Sequence, residues 1–212
     1  MHVAELWRYP IKSLGGEALA VADVTTGGIA GDRLVQVYGP RDRVVTARTH
    51  PGLLGLRARL GPDGDPWVDG RPWTSPEVLA AVRRAAGAAV RLWRDDGPER
   101  FDVLPLLVAT DGAIAALGVD RRRLRPNLVV AGVEGLTERT WPGRELEVGD
   151  VIVAVETLRE RCVMTTYDPD SQVQDLSVLR RIVRDFGGVM ALDCRVVRGG
   201  RVSVGDPVRL RS

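Results

Sequence analysis

The chain has 212 residues, which is enough to bury one large hydrophobic core or two smaller ones. Its 30 basic and 28 acidic residues leave a formal net charge of +2. Because this charge is small and the arginines are scattered, we expect no nucleic-acid partner, whereas small anions fit the composition. No run of about 18 apolar residues and no signal-peptide pattern is present, so we expect no membrane association and a cytoplasmic location.

The first third of the sequence has the pattern of short strands closed by turns. Strands are predicted over 2–9, 34–38 and 43–47, and the last two are expected to pair through a short turn at Gly39-Pro40. The segment 61–70 is rich in glycine, proline and aspartate, which predicts a break between strands.

Three helices are predicted. The first has Ser75 as its N-cap, Pro76 at its first position and Gly87 at its end. A short helix is expected over 111–117, and a third begins after Asp175 as N-cap. The apolar stripe predicted for this third helix consists of Leu176, Leu179, Ile182, Val183 and Phe186.

Two later segments, 146–155 and 202–210, share a Val-Gly-Asp core followed by further apolar residues. Each is predicted to be one strand that kinks at Gly-Asp and continues, as strands do at barrel corners. A hairpin is predicted over 195–204, turning at Gly199-Gly200. Many short strands with three helices predict an α+β fold that is predominantly β, with helices covering a closed or nearly closed β-barrel.

The segment around Cys162 carries the strongest chemical signal. Arg159 and Arg161 precede this cysteine, and a Thr-Thr-Tyr-Asp-Pro-Asp turn follows it. Neighbouring arginines favour thiolate over thiol, and a thiolate at a loop can attack a substrate, resolve a disulfide or hold a soft metal. The other cysteine, Cys194, is interpreted as a small buried residue in a strand. A Cys162–Cys194 disulfide is the alternative.

A second signal is Lys12, the only lysine among the 30 basic residues. It is either retained for a site or is one leftover surface lysine. Neither histidine supports a catalytic triad, and His50 beside Pro51 is interpreted as a solvated loop residue.

Five segments in chain order resemble the motifs of MOSC-domain proteins, a family named for the C-terminal domain of molybdenum-cofactor sulfurases. They are Tyr-Pro-Ile-Lys-Ser at 9–13, Val-Thr-Ala-Arg-Thr-His-Pro at 45–51, Arg-Pro-Asn at 125–127, the cysteine motif at Cys162 and Val-Gly-Asp-Pro-Val at 204–208. The resemblance is greatest to the amidoxime-reducing molybdenum enzymes. It implies a MOSC-type β-barrel over 91–212 and an intimately packed N-terminal β-barrel-like subdomain over 1–90.

The resemblance implies a molybdenum cofactor, a pterin with a dithiolene and a phosphate, whose metal is bound by Cys162 as the catalytic residue. It implies two-electron reduction of N-hydroxylated or N-oxide-type small molecules. Electrons would come from a separate ferredoxin, flavin or haem protein, and no pyridoxal-phosphate site or iron–sulfur cluster is expected in this chain. The remaining candidate cofactor-binding residues are Lys12, Ser13, Arg48, Asp102, Arg125, Asn127 and Arg161.

One segment departs from the resemblance. In 101–106, Val103 and Leu104 stand where the amidoxime-reducing relatives have hydroxyl side chains, so only Asp102 and backbone groups are left there. Two other functions therefore stay open. One is a carrier or insertion module that holds cofactor or transfers sulfur through Cys162, and the other is a non-enzymatic β-barrel that has lost the cofactor. Plain interpretations also stay open: Cys162 as an inert buried thiol, and solvated surface or turn residues for Lys12, Ser13, Arg48, Arg125 and Asn127.

Overall fold

The computed structural model describes residues 1–95 and 97–211. Over these ranges the chain forms short strands, three α-helices and single turns of 3-10 helix. The α-helices are α1 (Pro76–Ala86), α2 (Asp111–Leu117) and α3 (Leu176–Phe186). The strands are β1 (His2–Arg8), β2 (Glu17–Leu19), β3 (Val21–Thr25), β4 (Gly28–Ile29), β5 (Val35–Tyr38), β6 (Val44–Val45), β7 (Ala58–Leu60), β8 (Pro66–Val68), β9 (Arg71–Pro72), β10 (Arg91–Arg94), β11 (Leu106–Thr110), β12 (Leu128–Ala131), β13 (Glu145–Val148), β14 (Val151–Glu160), β15 (Val189–Arg198), β16 (Gly200–Ser203) and β17 (Val208–Arg211).

The largest sheet closes into a barrel. Its strand order is β17-β13-β14-β15-β11-β12-β1-β2, and only β11 and β12 run parallel. The amide of Val3 donates to the carbonyl of Asp206 at 2.9 Å, and that of Val208 donates to Met1 at 3.0 Å. Backbone hydrogen bonds therefore join the start of β1 to the segment that enters β17. Because the edges meet, the barrel leaves few strand edges open.

Each part of the fold has its own hydrophobic core. Alternating residues of the barrel strands point inward, as they do in closed sheets. The N-terminal half forms a barrel-like subdomain whose core lies under α1, and α2 packs with α3 over the outside of the main barrel. The largest fully buried side chains are Trp141, Leu6, Ile11, Leu14, Ile29, Leu53, Leu117, Leu124, Leu146, Ile182, Met190 and Leu192.

The two halves are interleaved. Strands β1 and β2 belong to the large sheet, and β3 with β4 extends a small sheet that includes β16. Strand β10 follows residue 90 and pairs with β5 of the N-terminal half. The division at residues 90 and 91 stays a prediction.

Several local predictions are confirmed. Strands occupy most of 2–9 and 34–38, a two-residue strand lies within 43–47 and pairs with β5, and all three helices are present. The Ser75 hydroxyl accepts a hydrogen bond from the amide of Val78 at 3.3 Å, as an N-cap does. None of the helices in the described part of the chain is long and apolar enough to cross a membrane. The fold class is α+β and predominantly β, as predicted.

The prediction of one kinked strand over 146–155 is wrong. Residues Gly149 and Asp150 form the two-residue turn of a β13–β14 hairpin, in which Val148 pairs with Val151. Gly149 has φ of 56°, a left-handed conformation that glycine adopts without strain. The second copy of the motif also separates two strands, because β16 pairs with β3 whereas β17 pairs with β13.

The predicted hairpin over 195–204 is also wrong. Strand β15 pairs with β14 and β11, whereas β16 belongs to a different sheet. At the crossing, Gly199 lies so close to β3 that a Cβ there would be 2.5 Å from the carbonyl oxygen of Val24. The glycine therefore permits a close approach of two backbones and does not form a hairpin turn.

Two smaller predictions need correction. The break over 61–70 is shorter than expected, because β8 begins at Pro66 and pairs with β7. In α3 the buried positions are Val178, Ile182 and Phe186, while Leu176 and Val183 are 46% and 59% exposed. The core face therefore follows an i, i+4, i+8 row. The prediction was right for Ile182 and Phe186, wrong for Leu176 and Val183, and missed Val178.

Candidate cofactor-binding pocket

A pocket of about 600 Å³ lies where the N-terminal half meets strands β11, β14 and β15 of the barrel. Its lining is strongly basic but not uniformly so, since seven cationic side chains, three acidic ones and an apolar wall surround it. The cations are Lys12, Arg33, Arg48, Arg123, Arg125, Arg159 and Arg161, the acids are Asp102, Glu160 and Asp193, and the apolar wall includes Val103, Leu107, Leu124, Leu158, Met164 and Val189.

Cys162 reaches this pocket because of how β14 ends. The strand stops at Glu160, the amide of Arg161 donates to the carbonyl of Gly188 at 2.9 Å, and a turn of 3-10 helix, Val163–Thr166, begins directly after Cys162. Both the amide and the hydroxyl of Thr165 donate to the Cys162 carbonyl, at 3.1 and 2.9 Å. The backbone of Cys162 is thus fixed, and its partly buried side chain lines the pocket.

Arg48 links the thiol to the charged side of the pocket. Its Nη2 lies 2.6 Å from Asp102. Burial lowers the pKa of Arg48, but the charge of Asp102 and a hydrogen bond with Cys162 outweigh it and raise that pKa above its ordinary value. Arg48 therefore connects the carboxylate of Asp102 to the sulfur that lines the pocket.

Cys194 lies in different surroundings. It is fully buried on β15, its sulfur lies 3.6 Å from the Leu192 carbonyl oxygen, and burial raises the pKa of its thiol well above the usual value. Both cysteines are free, so the alternative of a disulfide is wrong. The interpretation of Cys194 as a small buried strand residue is confirmed.

Asp102 holds three cations at one side of the pocket. Lys12 Nζ lies 3.0 Å from its carboxylate, Arg48 Nη2 2.6 Å and Arg159 Nη2 3.6 Å. Burial alone would raise the pKa of Asp102, but the charge and hydrogen bond of Lys12, with the two arginines, lower it below its usual value. The carboxylate is therefore ionised at neutral pH and offsets part of the positive charge.

Arg125 and Arg161 differ from those cations, because neither has a carboxylate partner within the described residues. Arg125 stacks 4.1 Å from the ring centroid of Tyr9, and Arg161 donates from Nη2 to the Leu124 carbonyl at 2.7 Å. The Nε of Arg161 is buried without a hydrogen bond to any described residue. Burial lowers the pKa of each to about 10, so both are cationic at neutral pH. Two such cations beside one pocket favour an anionic ligand.

Ser13 and Lys12 enter the pocket from a turn after β1. The amide of Lys12 donates to the Val35 carbonyl at 2.9 Å, and that of Leu14 donates to Ile11 at 3.2 Å. Ser13 has φ of 73°, an uncommon conformation for a residue with a Cβ, and is only 4% exposed. Residues held in this region occur often at functional sites.

Asn127 does not line the pocket. It is 1% exposed, and its amide oxygen accepts from the Leu107 amide at 3.1 Å. Its nitrogen donates to the Trp7 carbonyl at 3.3 Å and to Asp32 at 3.1 Å. The side chain therefore joins β11 and β1, and both of its N–H donors are used within the protein. His50 also lies outside the pocket, where its ring contacts Thr49.

Five charged pocket residues were not among the candidates predicted from the sequence: Arg33, Arg123, Arg159, Glu160 and Asp193. Asp193 is only 3% exposed, and Arg159 Nη1 lies 3.2 and 3.3 Å from its two carboxylate oxygens. The available signal was a charged residue inside the apolar run of β15. Arg33 directly follows the buried Asp32, and no pattern in its segment distinguishes it from other arginines.

The chain matches two family descriptions. Residues 1–103 match the MOSC N-terminal β-barrel domain and residues 104–209 match the MOSC domain. Together with the barrel and the cysteine at its pocket, these matches define the class: the chain belongs to the MOSC-domain family.

Within that family, the similar proteins of known activity are amidoxime-reducing components. Human mitochondrial amidoxime-reducing component 1 is 26% identical, over 98% of this chain and 82% of its own length. Rat mitochondrial amidoxime reducing component 2 is 47% identical over 82% of this chain and 68% of its own length. Among solved structures, the YuaD protein of Bacillus subtilis covers 100% of this chain and 95% of its own, with a TM-score of 0.55 and 17% identity. That last likeness shows the shared fold.

Proposed function

We propose that this chain binds a molybdenum cofactor in the pocket and reduces N-hydroxylated or N-oxide-type compounds with electrons from a separate protein. One observation carries the proposal. A free thiol, Cys162, opens into the same 600 Å³ pocket as Arg125 and Arg161, which have no carboxylate partner among the described residues. Soft sulfur and uncompensated positive charge are the two things that a metal dithiolene with a phosphate needs from a protein.

The pocket offers a metal ion one thiol ligand, which fits a metal whose other ligands come from a cofactor. Among the described residues, no group of three or more His, Cys, Asp or Glu side chains could hold a metal ion. Cys162 therefore suits an ion already held by a dithiolene, to which it adds one thiolate. A bare zinc ion, which needs three or four protein ligands, fits this pocket poorly.

The cations fit a phosphate in two different ways. Arg125 and Arg161 offer guanidinium groups, and the orphaned Nε of Arg161 is a donor still to be satisfied. Lys12 and Arg48 share the single negative charge of Asp102, so their part is to hold that carboxylate and, through Arg48, the sulfur of Cys162. We assign the phosphate to the first pair, together with the Ser13 hydroxyl.

The chain's own residues then do three things. Cys162 and the arginines hold the cofactor, and the apolar side chains of Leu107, Leu158 and Val189 exclude water from one wall, which strengthens charge interactions inside the pocket. Val103, 58% exposed, lines the pocket with an apolar side chain at the position where the amidoxime-reducing relatives have a hydroxyl group. When bound, the cofactor would supply the two-electron redox chemistry, while these residues hold and orient it.

The electron donor would be a separate protein of ferredoxin, flavin or haem type. The two cysteines of the sequence are too few for an iron–sulfur cluster. The relatives are named as amidoxime-reducing components, and we extend that activity to this chain.

The test begins with cofactor content. The chain is purified from a host that makes the cofactor, and molybdenum and pterin are measured for the wild type, Cys162→Ser and Cys194→Ser. We expect both to be near-stoichiometric in the wild type and in Cys194→Ser, and molybdenum to be lost in Cys162→Ser.

Turnover is then measured with benzamidoxime and an N-oxide, using reduced viologen as the donor. Wild-type protein without molybdenum or pterin contradicts the proposal. Cofactor without turnover of either substrate contradicts the reductase and favours the carrier.

A further inference from the structure

The three acidic side chains of the pocket differ in their surroundings. Asp102 is held by three cations, and Glu160 is exposed to solvent at the end of β14. Asp193 alone is almost fully buried, at 3% exposure, and the proposed function gives it no part. A buried carboxyl group that lines a ligand pocket is a candidate for proton transfer.

The position of Asp193 is fixed by the barrel. It lies on β15, where it pairs with Leu107 of β11 on one side and with Thr157 of β14 on the other. The same strands carry the apolar wall formed by Leu107 and Leu158. The carboxyl group thus belongs to the rigid barrel, and its position does not depend on a loop.

The charged groups that face Asp193 come from three elements. Arg159 of β14 contacts it at 3.2 and 3.3 Å, and Arg161 and Asp102 act on it at longer range. On β15 its titratable neighbour is the buried thiol of Cys194. Burial raises the pKa of Asp193, and this effect outweighs the lowering by Arg159 and Arg161, so the pKa lies above its usual value.

We propose that Asp193 is a catalytic residue, the acid that supplies a proton to the oxygen leaving the substrate. The inference rests on the proposed function. Reduction of an N–OH group takes up two electrons and two protons, breaks the N–O bond and releases the reduced nitrogen compound and water. Both electrons come from the redox partner, or from reduced viologen in the assay. Asp193 gives one proton and solvent gives the other, and solvent then reprotonates the carboxylate.

The other groups of the pocket suit this step less well. Lys12 and two arginines lower the pKa of Asp102, whereas burial raises that of Asp193, so Asp193 is the better proton donor of the two. Arg125 and Arg161 keep pKa values of about 10, which makes them weak acids there. Arg159, in contact with Asp193, would stabilise the carboxylate left after the transfer.

The kinetic test compares pH profiles of the molybdenum-loaded protein, with benzamidoxime and reduced viologen. Because the protonated acid is the active form, wild-type kcat should fall as pH rises through the pKa of Asp193. Asp193→Asn should lower kcat by about 100-fold or more and remove that fall, with little change in KM. Asp193→Glu should still show the decrease in kcat as pH rises. Glu156→Gln is the matched control, because Glu156 and Arg195 form an exposed ion pair on the same two strands.

A shift of the pH profile of kcat in a second variant distinguishes proton transfer by Asp193 from a structural role. Arg159 lowers the pKa of Asp193, so Arg159→Met should move the fall in kcat to higher pH. A positioning role predicts lower activity with an unmoved profile. An unmoved profile in Arg159→Met, or an unchanged kcat in Asp193→Asn, overturns the inference and leaves the proposed reductase standing.

A readout without turnover uses the metal-free protein. The side-chain carboxyl of Asp193, assigned by its absence in Asp193→Asn, is titrated by carbon-13 NMR. We expect a midpoint above the usual 3.8, and a higher midpoint in Arg159→Met. A midpoint at or below that value overturns the inference whatever the kinetics show. A loaded wild type without turnover overturns the inference and the proposed reductase together.

Discussion

The ammonium group of Lys12 lies 3.0 Å from the carboxylate of Asp102, and the lysine side chain is only 12% exposed. The single lysine of the chain is therefore not a leftover surface residue. It lies inside a basic pocket, where it helps to keep an acidic residue ionised. The same carboxylate binds Arg48, which reaches the sulfur of Cys162. Lys12 is thus connected to Cys162 by contacts through two intervening side chains.

This arrangement makes folding stability depend on pH through Asp102. Its pKa is lower in the folded chain than the usual 3.8 of an unfolded one. The stabilisation is therefore complete above the unfolded pKa and is lost as pH falls through the folded value. The free energy of unfolding in urea, measured from about pH 5 to pH 2, should decrease as pH falls.

Variants of the same pair check the cause of that decrease. Asp102→Asn should show a weaker dependence on pH and a lower stability at neutral pH, because Lys12 and Arg48 then lose their counter-charge. Lys12→Met should weaken the dependence as well. If Asp102→Asn keeps the wild-type dependence of the free energy of unfolding on pH, Asp102 contributes nothing to that dependence.

The two thiols should differ sharply in reactivity. Cys162 lines a pocket, whereas Cys194 is 0% exposed on β15. A disulfide-exchange reagent should therefore titrate one thiol in the native protein and two in denaturant. Cys162→Ser should abolish the fast reaction and Cys194→Ser should retain it. Bound cofactor should protect Cys162, and fast labelling of the fully loaded protein would mean that this sulfur is not a metal ligand.

The sequence predicted those parts of the fold that follow from local chemistry. Ser75 and Gly87 bound α1 because capping acts within a few residues. Strand β1 was also predicted from its own residues and the proline that follows it. The errors fall where the outcome depends on distant partners. Gly149-Asp150 and Gly205-Asp206 look alike in sequence, but one turns a hairpin and the other lies between strands of different sheets.

The same limit applies to the pocket. Lys12, Arg48 and Cys162 were identifiable because each lies in a distinctive motif. Asp193 and Arg159 meet only because β14 and β15 pair, with Thr157 opposite Asp193. Arg125 and Asn127 share one motif, yet only Arg125 lines the pocket. Neighbours in a tight turn point to different sides, and local sequence does not say which side faces a ligand.

Asn127 should matter for stability and not for cofactor affinity. Its amide satisfies the buried amide of Leu107 and contacts Trp7 and Asp32. Asn127→Ala leaves that buried donor unpaired, which costs about 1–3 kcal/mol. Urea unfolding should show this loss, while Thr74→Ala, an exposed control, should change stability by less than about 0.5 kcal/mol. A stable variant with weakened cofactor binding would reverse the assignment and return Asn127 to the site.

The last prediction separates the two groups of cations in the pocket. Arg125 and Arg161 have no carboxylate partner in the described part of the chain, so an anion should gain most from them. Lys12 is already paired with Asp102. Loss of a charge-assisted contact to a buried anion costs about 1.5–3 kcal/mol, which is roughly ten- to a hundred-fold in affinity. Arg125→Met should therefore weaken phosphate binding to the metal-free protein by about that factor, and Lys12→Met should weaken it less.

The measurement is the rise in melting temperature of the metal-free protein as inorganic phosphate is added, because a ligand that binds only the folded chain stabilises it by mass action. Arg195→Met removes an exposed cation paired with Glu156 and is the matched control, so its phosphate response should equal that of the wild type. If Lys12→Met loses more affinity than Arg125→Met, the anion lies beside Asp102 and must displace that carboxylate from its cations. The phosphate would then belong to Lys12 and Arg48, and the assignment to Arg125 and Arg161 would be wrong.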